Sequence, residues 1–447
     1  MKPNIESNQS APKNDQFSQT GFILAAIGSA VGLGNMWKFP YITGKYGGAA
    51  FFLLFIICLI AVGLPVLLAE MTVGRGGRGT ASTAFYRLSG KISWSRFGLL
   101  SVIGAFMIMS FYAVVAGWTL HYAMLSFSGK LFDSADYKQL FVGFAGGYTP
   151  LFWQAVVFVL CIFVLLKGVS AGIERFNKIL IPGLVILLFI LMGRALSLPG
   201  AMEGVKFFLQ PDFSKLSAES ALVALGHAFF SLSLGMGTMI IYGSYVNKKQ
   251  SLTTAAAAVC GGDLLYALLA GLIIFPTIFA YGIAPSEGPG LVFMALPAAF
   301  EAMPFGEIFG GLFFVLLAIA ALTSAISLVE VPVAYSMENW GWSRNKGVWI
   351  INIICFVIGV PAALSVGGPM DWTLFGKTYF DLLDYAASNI LLPLGGLTVS
   401  LFVGYVWKKA GDEAGISSFW YKVWIFQLRY VAPIVMLLVL LNLVGVI

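Results

Sequence analysis

The sequence predicts an all-α integral membrane protein of about eleven transmembrane helices. Composition is the first reason. Of 447 residues, 59% are hydrophobic and 10% charged, against about 25% charged in a soluble chain, so polar groups are too few to clothe a water-facing surface. The second is spacing: apolar runs of the roughly 20 residues needed to cross a bilayer recur along the chain. The third is a pair of runs with glycines at mid-membrane, where freed backbone groups survive only beside a cavity or a bound solute.

Taken in order, residues 1–20 are polar, too hydrophilic for the core of a secretory signal, and are expected as a cytoplasmic tail. Apolar runs follow at 21–43, 48–72, 97–127, 150–168, 176–197, 220–244, 252–280, 306–338, 347–364, 380–407 and 427–447. The longest imply tilt or extension past the bilayer. A shorter piece, GLVFMALPAAF at 290–300, reads as a re-entrant or surface element. An odd number of spans puts the termini on opposite sides. Lys and Arg concentrate on the side of the N-terminus, among them Arg75, Arg78, Arg87, Lys91, Arg96, Lys248, Lys249, Lys408 and Lys409. This places the N-terminus in the cytoplasm and the C-terminus outside a cell membrane. The same loops account for the net charge of +6 without a nucleic-acid partner. Cys58, Cys161, Cys260 and Cys355 lie within apolar runs without paired spacing and read as buried hydrophobes. His121 and His227 form no metal pair and no Ser-His-acid set, so an enzyme is not expected.

The first span reads GFILAAIGSAVGLGNMWKFPYITGKYGG, with Gly28, Gly32 and Gly34 around Asn35. The sixth reads HAFFSLSLGMGTMIIYGSYV, with Ser231, Ser233, Gly235 and Gly237 at its middle. They are corresponding members of two five-helix halves, 21–200 and 201–407, leaving 408–447 for a cytoplasmic loop and the last span. Paired Gly-interrupted segments in corresponding positions mark the binding site of secondary transporters.

Five motifs, IGSAVGLGNMWKFPY (27–41), EMTVGRGG (70–77), SFYAVVAGW (110–118), FFSLSLGMG (229–237) and ALTSAISLVE (321–330), occur in this order. With them the chain resembles the neurotransmitter:sodium symporters from about residue 13 to the tenth span. Short loops and eleven spans resemble the bacterial branch, with its carriers of multiple hydrophobic amino acids. The resemblance implies two inverted five-helix repeats with helices 1 and 6 broken, and alternating access around a midplane site. It implies sodium-coupled import of hydrophobic L-amino acids, with the lipid bilayer as the other partner. No feature sets an oligomeric state.

By that resemblance two sodium ions are expected. Sodium is a hard cation suited to neutral oxygens. One site would use the carbonyls of Gly28, Val31 and Ala320 with the hydroxyls of Thr323 and Ser324. The alternative for both hydroxyls is a bond back to their own helix. The other site would use the Ala30 carbonyl, Asn35, Ser231, Asp263 and the substrate carboxylate. Asp263 stands mid-span where the family usually has Asn, and an acid at that depth costs roughly 3 kcal/mol. Chloride-dependent relatives surround this point with Tyr, Gln and Ser; here Phe55, His227 and Ala267 stand instead. Chloride independence is expected, with Asp263 supplying the negative charge. A further expectation is that Asp263, with His227, takes up a proton when the ions leave. The alternative for His227 is a hydrogen-bonded core histidine.

The resemblance also implies a substrate pocket. The N–H groups of Leu33 and Gly34 would hold the α-carboxylate with Tyr112, and Ala30, Phe230, Ser231 and Ser233 would meet the amine. Gly32 leaves room for a substrate that brings its own carboxylate. Ile108, Phe230, Met236, Ser324 and Leu328 would form an apolar wall, which excludes Lys, Asp and Glu. Met236 and Leu328 also fit ordinary helix packing. Lys38 and Asp384 occupy the outer gate, with Lys lacking the bidentate fork of Arg. Lys13, Tyr245 and Glu338 would form the inner gate, with Phe17 for a missing Trp, and Glu70 would stabilise the broken first span. Gly172 and Pro182 bracket the start of the fifth span, as a hinge or a static kink. The rival reading from another class is a membrane amino-acid sensor that binds without transport.

Overall fold

The computed structural model describes residues 16–134, 136–283, 291–370 and 372–443. Lys13 and most of the expected tail lie outside them. Among the described residues the fold is helical, with two isolated bridges and no strand. Among the described residues, nine helical spans are long and apolar enough to cross a membrane: α1 (Gln19–Lys45), α2 (Ala49–Gly77), α3 (Ile92–Phe127), α5 (Val169–Leu196), α7 (Leu252–Ala280), α8 (Gly306–Trp340), α9 (Arg344–Leu364), α10 (Tyr379–Val406) and α11 (Ser418–Asn442). The tenth, α4 (Thr149–Leu165), is bent by 71° from the short helix Tyr137–Ala145. The eleventh is α6, split into α6a (Ala218–Ser231) and α6b (Thr238–Ser244). Counted with the split span, eleven spans among the described residues follow the apolar runs, although the fifth starts at Val169 rather than 176 and the last at Ser418 rather than 427.

Burial sorts the spans. In α8, 83% of the most apolar stretch is buried, against 28% in α5 and in α11. Thus α8 is the central post, while Ile179, Ile186, Phe189, Phe426 and Ile434 leave apolar surface facing outward, as lipid requires.

Both breaks have local causes. In α1, regular helix stops at Ala30, Val31 turns to ψ 74°, and the chain resumes as a π-helical stretch, Gly34–Lys38. In α6, Ser233, Gly235 and Gly237 have φ of 54°, 80° and 77°. Glycine adopts that region without penalty, while a serine costs about 1–3 kcal/mol unless its surroundings impose it. Here the Ser233 hydroxyl donates to the Ser29 carbonyl at 2.8 Å, tying one break to the other. Gly235 also has no room for a side chain: a Cβ there would lie 2.2 Å from the Leu392 carbonyl oxygen.

Glu70 corrects an expectation. Its Oε1 accepts from the Gly235 N–H at 2.7 Å, so it supports the break of α6 rather than that of α1. It lies on α2, and α2 packs along α6b. At 291–300 the chain packs inward: Leu291, Val292 and Phe293 are buried, and Phe293 packs edge-on against Trp118 and Tyr122 of α3, ahead of a short helix, Ala295–Ala302.

Candidate functional site at the two helix breaks

Breaking a helix frees carbonyls, and the site is built on them. The Ser324 hydroxyl of α8 reaches the carbonyls of Ser29 at 3.1 Å and Gly28 at 3.4 Å. One residue earlier, Thr323 Oγ1 donates to Ala320 at 3.0 Å and Ile319 at 3.1 Å. Of the oxygens expected around the first ion, Ser324 Oγ and the Gly28 carbonyl are in contact across the two helices, and Thr323 Oγ1 meets the Ala320 carbonyl within α8. Thr323 bonds back to its own helix, while Ser324 crosses to α1. Ser29 and Ser327, which sequence reasoning passed over, extend this set of oxygens through hydroxyls 2.8 Å apart. The signal for Ser327 was a further hydroxyl one helical turn beyond Ser324.

A second polar cluster lies where α1, α6a and α7 meet. Asn35 Nδ2 donates to Asp263 Oδ1 at 2.7 Å, and its Oδ1 accepts from Ser231 at 3.0 Å. Ser231 also donates to Asp263 Oδ1, while Asp263 Oδ2 has no protein partner. Asp263 is fully buried. His227 Nε2 lies 3.1 Å from Asn35 Oδ1. Because the Asn35 amide already donates to Asp263, this oxygen is an acceptor and His227 is the donor. Its ring is packed between Phe39 and Phe55, at 5.5 and 5.1 Å. His227 therefore contacts Asp263 only through Asn35.

Between the clusters lies a small cavity. All twelve residues expected around a substrate line it, joined by Ser29. The polar groups gather at the α1 break, where the Tyr112 hydroxyl accepts from the Leu33 N–H at 3.3 Å. A Cβ on Gly32 would lie 2.7 Å from Ser324 Oγ and 3.3 Å from that hydroxyl, so glycine is what keeps this corner open. Ala30, Gly34, Ser231 and Ser233 complete the polar end, and Ile108, Phe230, Met236 and Leu328 supply the apolar wall.

Both mouths are covered. On the far side, Lys38 Nζ pairs with both carboxylate oxygens of Asp384 at 3.0 and 3.1 Å and sits 4.6 Å above the Phe230 ring. On the N-terminal side, Phe17 packs edge-on against Tyr242 and Tyr245 at 5.4 and 5.9 Å. The structure does not pair Tyr245 with Glu338. Tyr245 donates to Glu330 at 2.8 Å, and Glu330 forms a two-pronged ion pair with Arg344 at 2.8 and 3.1 Å. Glu338 accepts from the Thr80 N–H at 3.0 Å and from Thr83 Oγ1 at 2.5 Å. Eight residues of helix separate the two acids by about 12 Å, so one tyrosine cannot serve both. Glu330 was inside a recognised motif but given no role; an acid at membrane depth was the available signal.

The family model for the sodium:neurotransmitter symporter family matches residues 14–136 and 149–446. The uncharacterised sodium-dependent transporter YhdH of Bacillus subtilis is 41% identical over 440 residues, spanning 96% of this chain and 97% of that one. The sodium-dependent serotonin transporter of Drosophila melanogaster is 29% identical, spanning 93% of this chain and 74% of that one. The crystal structure of MhsT in complex with L-phenylalanine matches with a TM-score of 0.90 at 45% identity, covering 96% of this chain and 99% of that chain. With eleven spans, paired helix breaks and an enclosed polar-ended cavity between them, the chain belongs to the sodium:neurotransmitter symporter family, and so to the sodium-coupled membrane transporters rather than to the enzymes.

Proposed function

We propose that this transporter imports hydrophobic L-amino acids, aliphatic and aromatic, with two sodium ions, and without chloride. The observation that carries the reading is the division of the cavity. Its hydrogen-bonding groups lie at the α1 and α6 breaks, where an α-carboxylate and an α-amine would bind. The remaining wall of Ile108, Phe230, Met236 and Leu328 carries no charge. A buried ionic side chain would stay unpaired there at a cost of several kcal/mol, so Lys, Asp and Glu are refused. The bound L-phenylalanine of MhsT, 45% identical to this chain, supports the substrate class.

The first sodium ion sits among Gly28, Val31, Ala320, Thr323 and Ser324. The second sits among Ala30, Asn35, Ser231 and Asp263 and is completed by the substrate carboxylate, so each cargo strengthens the other's site. Asp263 brings the negative charge that an anion would otherwise supply, and its unpartnered Oδ2 is where a proton would return once sodium leaves. The face bearing the N-terminus is cytoplasmic, with the Tyr245–Glu330–Arg344 cluster as its gate and Lys38–Asp384 as the outer one. Two sodium ions entering with a zwitterion gain roughly 4.6 kcal/mol per 100 mV at about 2.3 per charge. A tenfold sodium gradient adds roughly 2.8 kcal/mol.

Uptake of tritiated leucine into proteoliposomes, with an inward sodium gradient and with or without chloride, tests this. The expected result is sodium-dependent accumulation, equal in both anions, and competed by tryptophan and valine but not by lysine or glutamate. Sodium-dependent binding without accumulation would instead establish an amino-acid sensor.

A further inference from the structure

The outward face of α11 carries a charge that the transport site does not use. Arg429 is exposed and stands about eleven residues, or roughly 16 Å, along a helix that starts at Ser418. Only 28% of the most apolar stretch of α11 is buried, and a cation on a lipid-facing helix is costly and rarely without a role. Its surroundings hold the base of the guanidinium and leave the tip. Nε donates to the Gly404 carbonyl of α10 at 2.5 Å, and the group lies 5.4 Å from the centre of the Tyr405 ring. Among the described residues, no carboxylate pairs with it, and its two terminal nitrogens have no partner. Tyr405 in turn donates to the Arg429 carbonyl at 3.1 Å. Both helices are π-helical where they meet, at Phe402–Val406 and Gln427–Val431, and such stretches recur at functional sites.

The surface around Arg429 is ordered as a phospholipid is. Lys422 lies about two helical turns before it, and Lys408 and Lys409 follow the end of α10. All three lysines are exposed and in no ion pair among the described residues. No Asp or Glu occurs in α11. Of the two acids in the preceding loop, Glu413 is taken by Arg75 at 2.7 Å, which leaves Asp412. Arg75 also donates to the Gln250 carbonyl at 2.7 Å, and Gln250 to that of Phe17 at 3.1 Å. The basic end of α11 therefore lies on the N-terminal face. Around the charges Phe419, Trp420, Phe426 and Tyr430 are half or more exposed, as aromatic rings are at headgroup level. Beyond Arg429 the outward surface is aliphatic, with Ile434, Leu437 and Leu438.

We propose that this face binds an anionic phospholipid from the leaflet next to the N-terminal face. The free fork of Arg429 takes the phosphate, Lys422, Lys408 and Lys409 attract the headgroup, and Ile434, Leu437 and Leu438 lie along an acyl chain. Two parallel N–H groups on one phosphate make a strong and directional pair, and basic pockets between spans select anionic headgroups. Charge complementarity singles out this occupant. A second copy seated on the same face would set one unpaired arginine against another, and a phospholipid with a cationic headgroup would leave the lysines unmatched. The bound lipid would join α10 to α11 at their π-helical stretches.

The test is native mass spectrometry of the purified full-length protein, offered phosphatidylglycerol and phosphatidylcholine of the same acyl chains in equal amounts. Thermal unfolding in detergent, with either lipid or with inorganic phosphate, accompanies it. The native protein is expected to retain phosphatidylglycerol in preference, and to unfold at a higher temperature with that lipid but not with inorganic phosphate. Arg429→Gln is expected to weaken retention about tenfold or more, and Lys422→Gln about fivefold. Arg429→Lys, which keeps the charge and loses the fork, should fall between native and Arg429→Gln. Equal retention of the two lipids, or native retention in Arg429→Gln, overturns the proposal. Stabilisation by inorganic phosphate equal to that by phosphatidylglycerol overturns it too, as does a lipid-free dimer that Arg429→Gln splits, which would assign the face to a second copy. If Arg429→Gln does not fold, native retention in Lys422→Gln, whose side chain makes no hydrogen bond among the described residues, overturns it.

Discussion

At the residue scale, Asp263 concentrates the chemistry. Its Oδ1 serves both Asn35 and Ser231, and it has no cationic side chain among its hydrogen-bond partners. A buried carboxylate without an ionic partner is costly, and the sodium site proposed above gives that charge a use. Asp263→Asn is expected to raise the sodium half-saturation by about tenfold or more, equivalent to 1.4 kcal/mol or more, in leucine-uptake assays. Chloride should not rescue it, because Phe55 and Ala267 offer no hydroxyl and His227 is committed to Asn35. Adding Phe55→Tyr, His227→Gln and Ala267→Ser to that variant should make sodium affinity depend on chloride. A native sodium response in Asp263→Asn would sink the charge-substitution account. Gly32 acts by absence: any side chain there meets Ser324 Oγ.

At the element scale, the broken helices are held open from outside. Nothing within α6 satisfies the Gly235 N–H; Glu70 of α2 does so at 2.7 Å. Glu70→Gln keeps an oxygen for that bond, whereas Glu70→Ala leaves a buried donor bare at a cost of about 1–3 kcal/mol. Thermal unfolding in detergent should therefore show a lower Tm for Glu70→Ala and a nearly native one for Glu70→Gln. Equal losses in both would mean that the carboxylate charge, not the hydrogen bond, supports the break. The α1 break is held differently, by Ser324, Ser233 and Tyr112 reaching in from three other helices.

At the scale of the whole molecule, the ion pairs over the two ends of the cavity, proposed above as its gates, are of unequal build. The outer pair, Lys38 and Asp384, is part-exposed, at 15% and 29% of side-chain surface. Such pairs are weak, with a median of about 0–1 kcal/mol. The inner pair joins a fully buried Glu330 to Arg344 with two contacts, and removing one partner of a buried pair costs about 3–5 kcal/mol. Glu330→Gln is therefore expected to shift the protein towards a state open on the N-terminal face. A cysteine introduced at Ser327, beside the cavity, would report this as faster labelling by a membrane-impermeant thiol reagent from that side. Labelling at the rate of the intact gate would show that Phe17 and its aromatic partners close this face unaided. Disabling Lys38 should have the smaller effect on accessibility from the far side.

By itself the sequence determined a helical membrane bundle, because a bilayer admits only helices or closed barrels and the apolar runs have helix-spanning length; the architecture of two inverted repeats was implied by the resemblance that the five motifs carry. Much of the cavity wall was legible in those motifs: Gly32, Gly34, Ser231 and Ser324 lie within them, and all four line the cavity. Tertiary structure alone decided which polar groups face one another. Glu70 could serve either break until the packing of α2 along α6b settled it. Tyr245 could pair with Glu330 or Glu338 until the depth of each acid along α8 was known. Helix periodicity tells which side chains share a face, but not the rotation and depth at which that face meets its neighbour, and hydrogen bonds reach only about 3 Å.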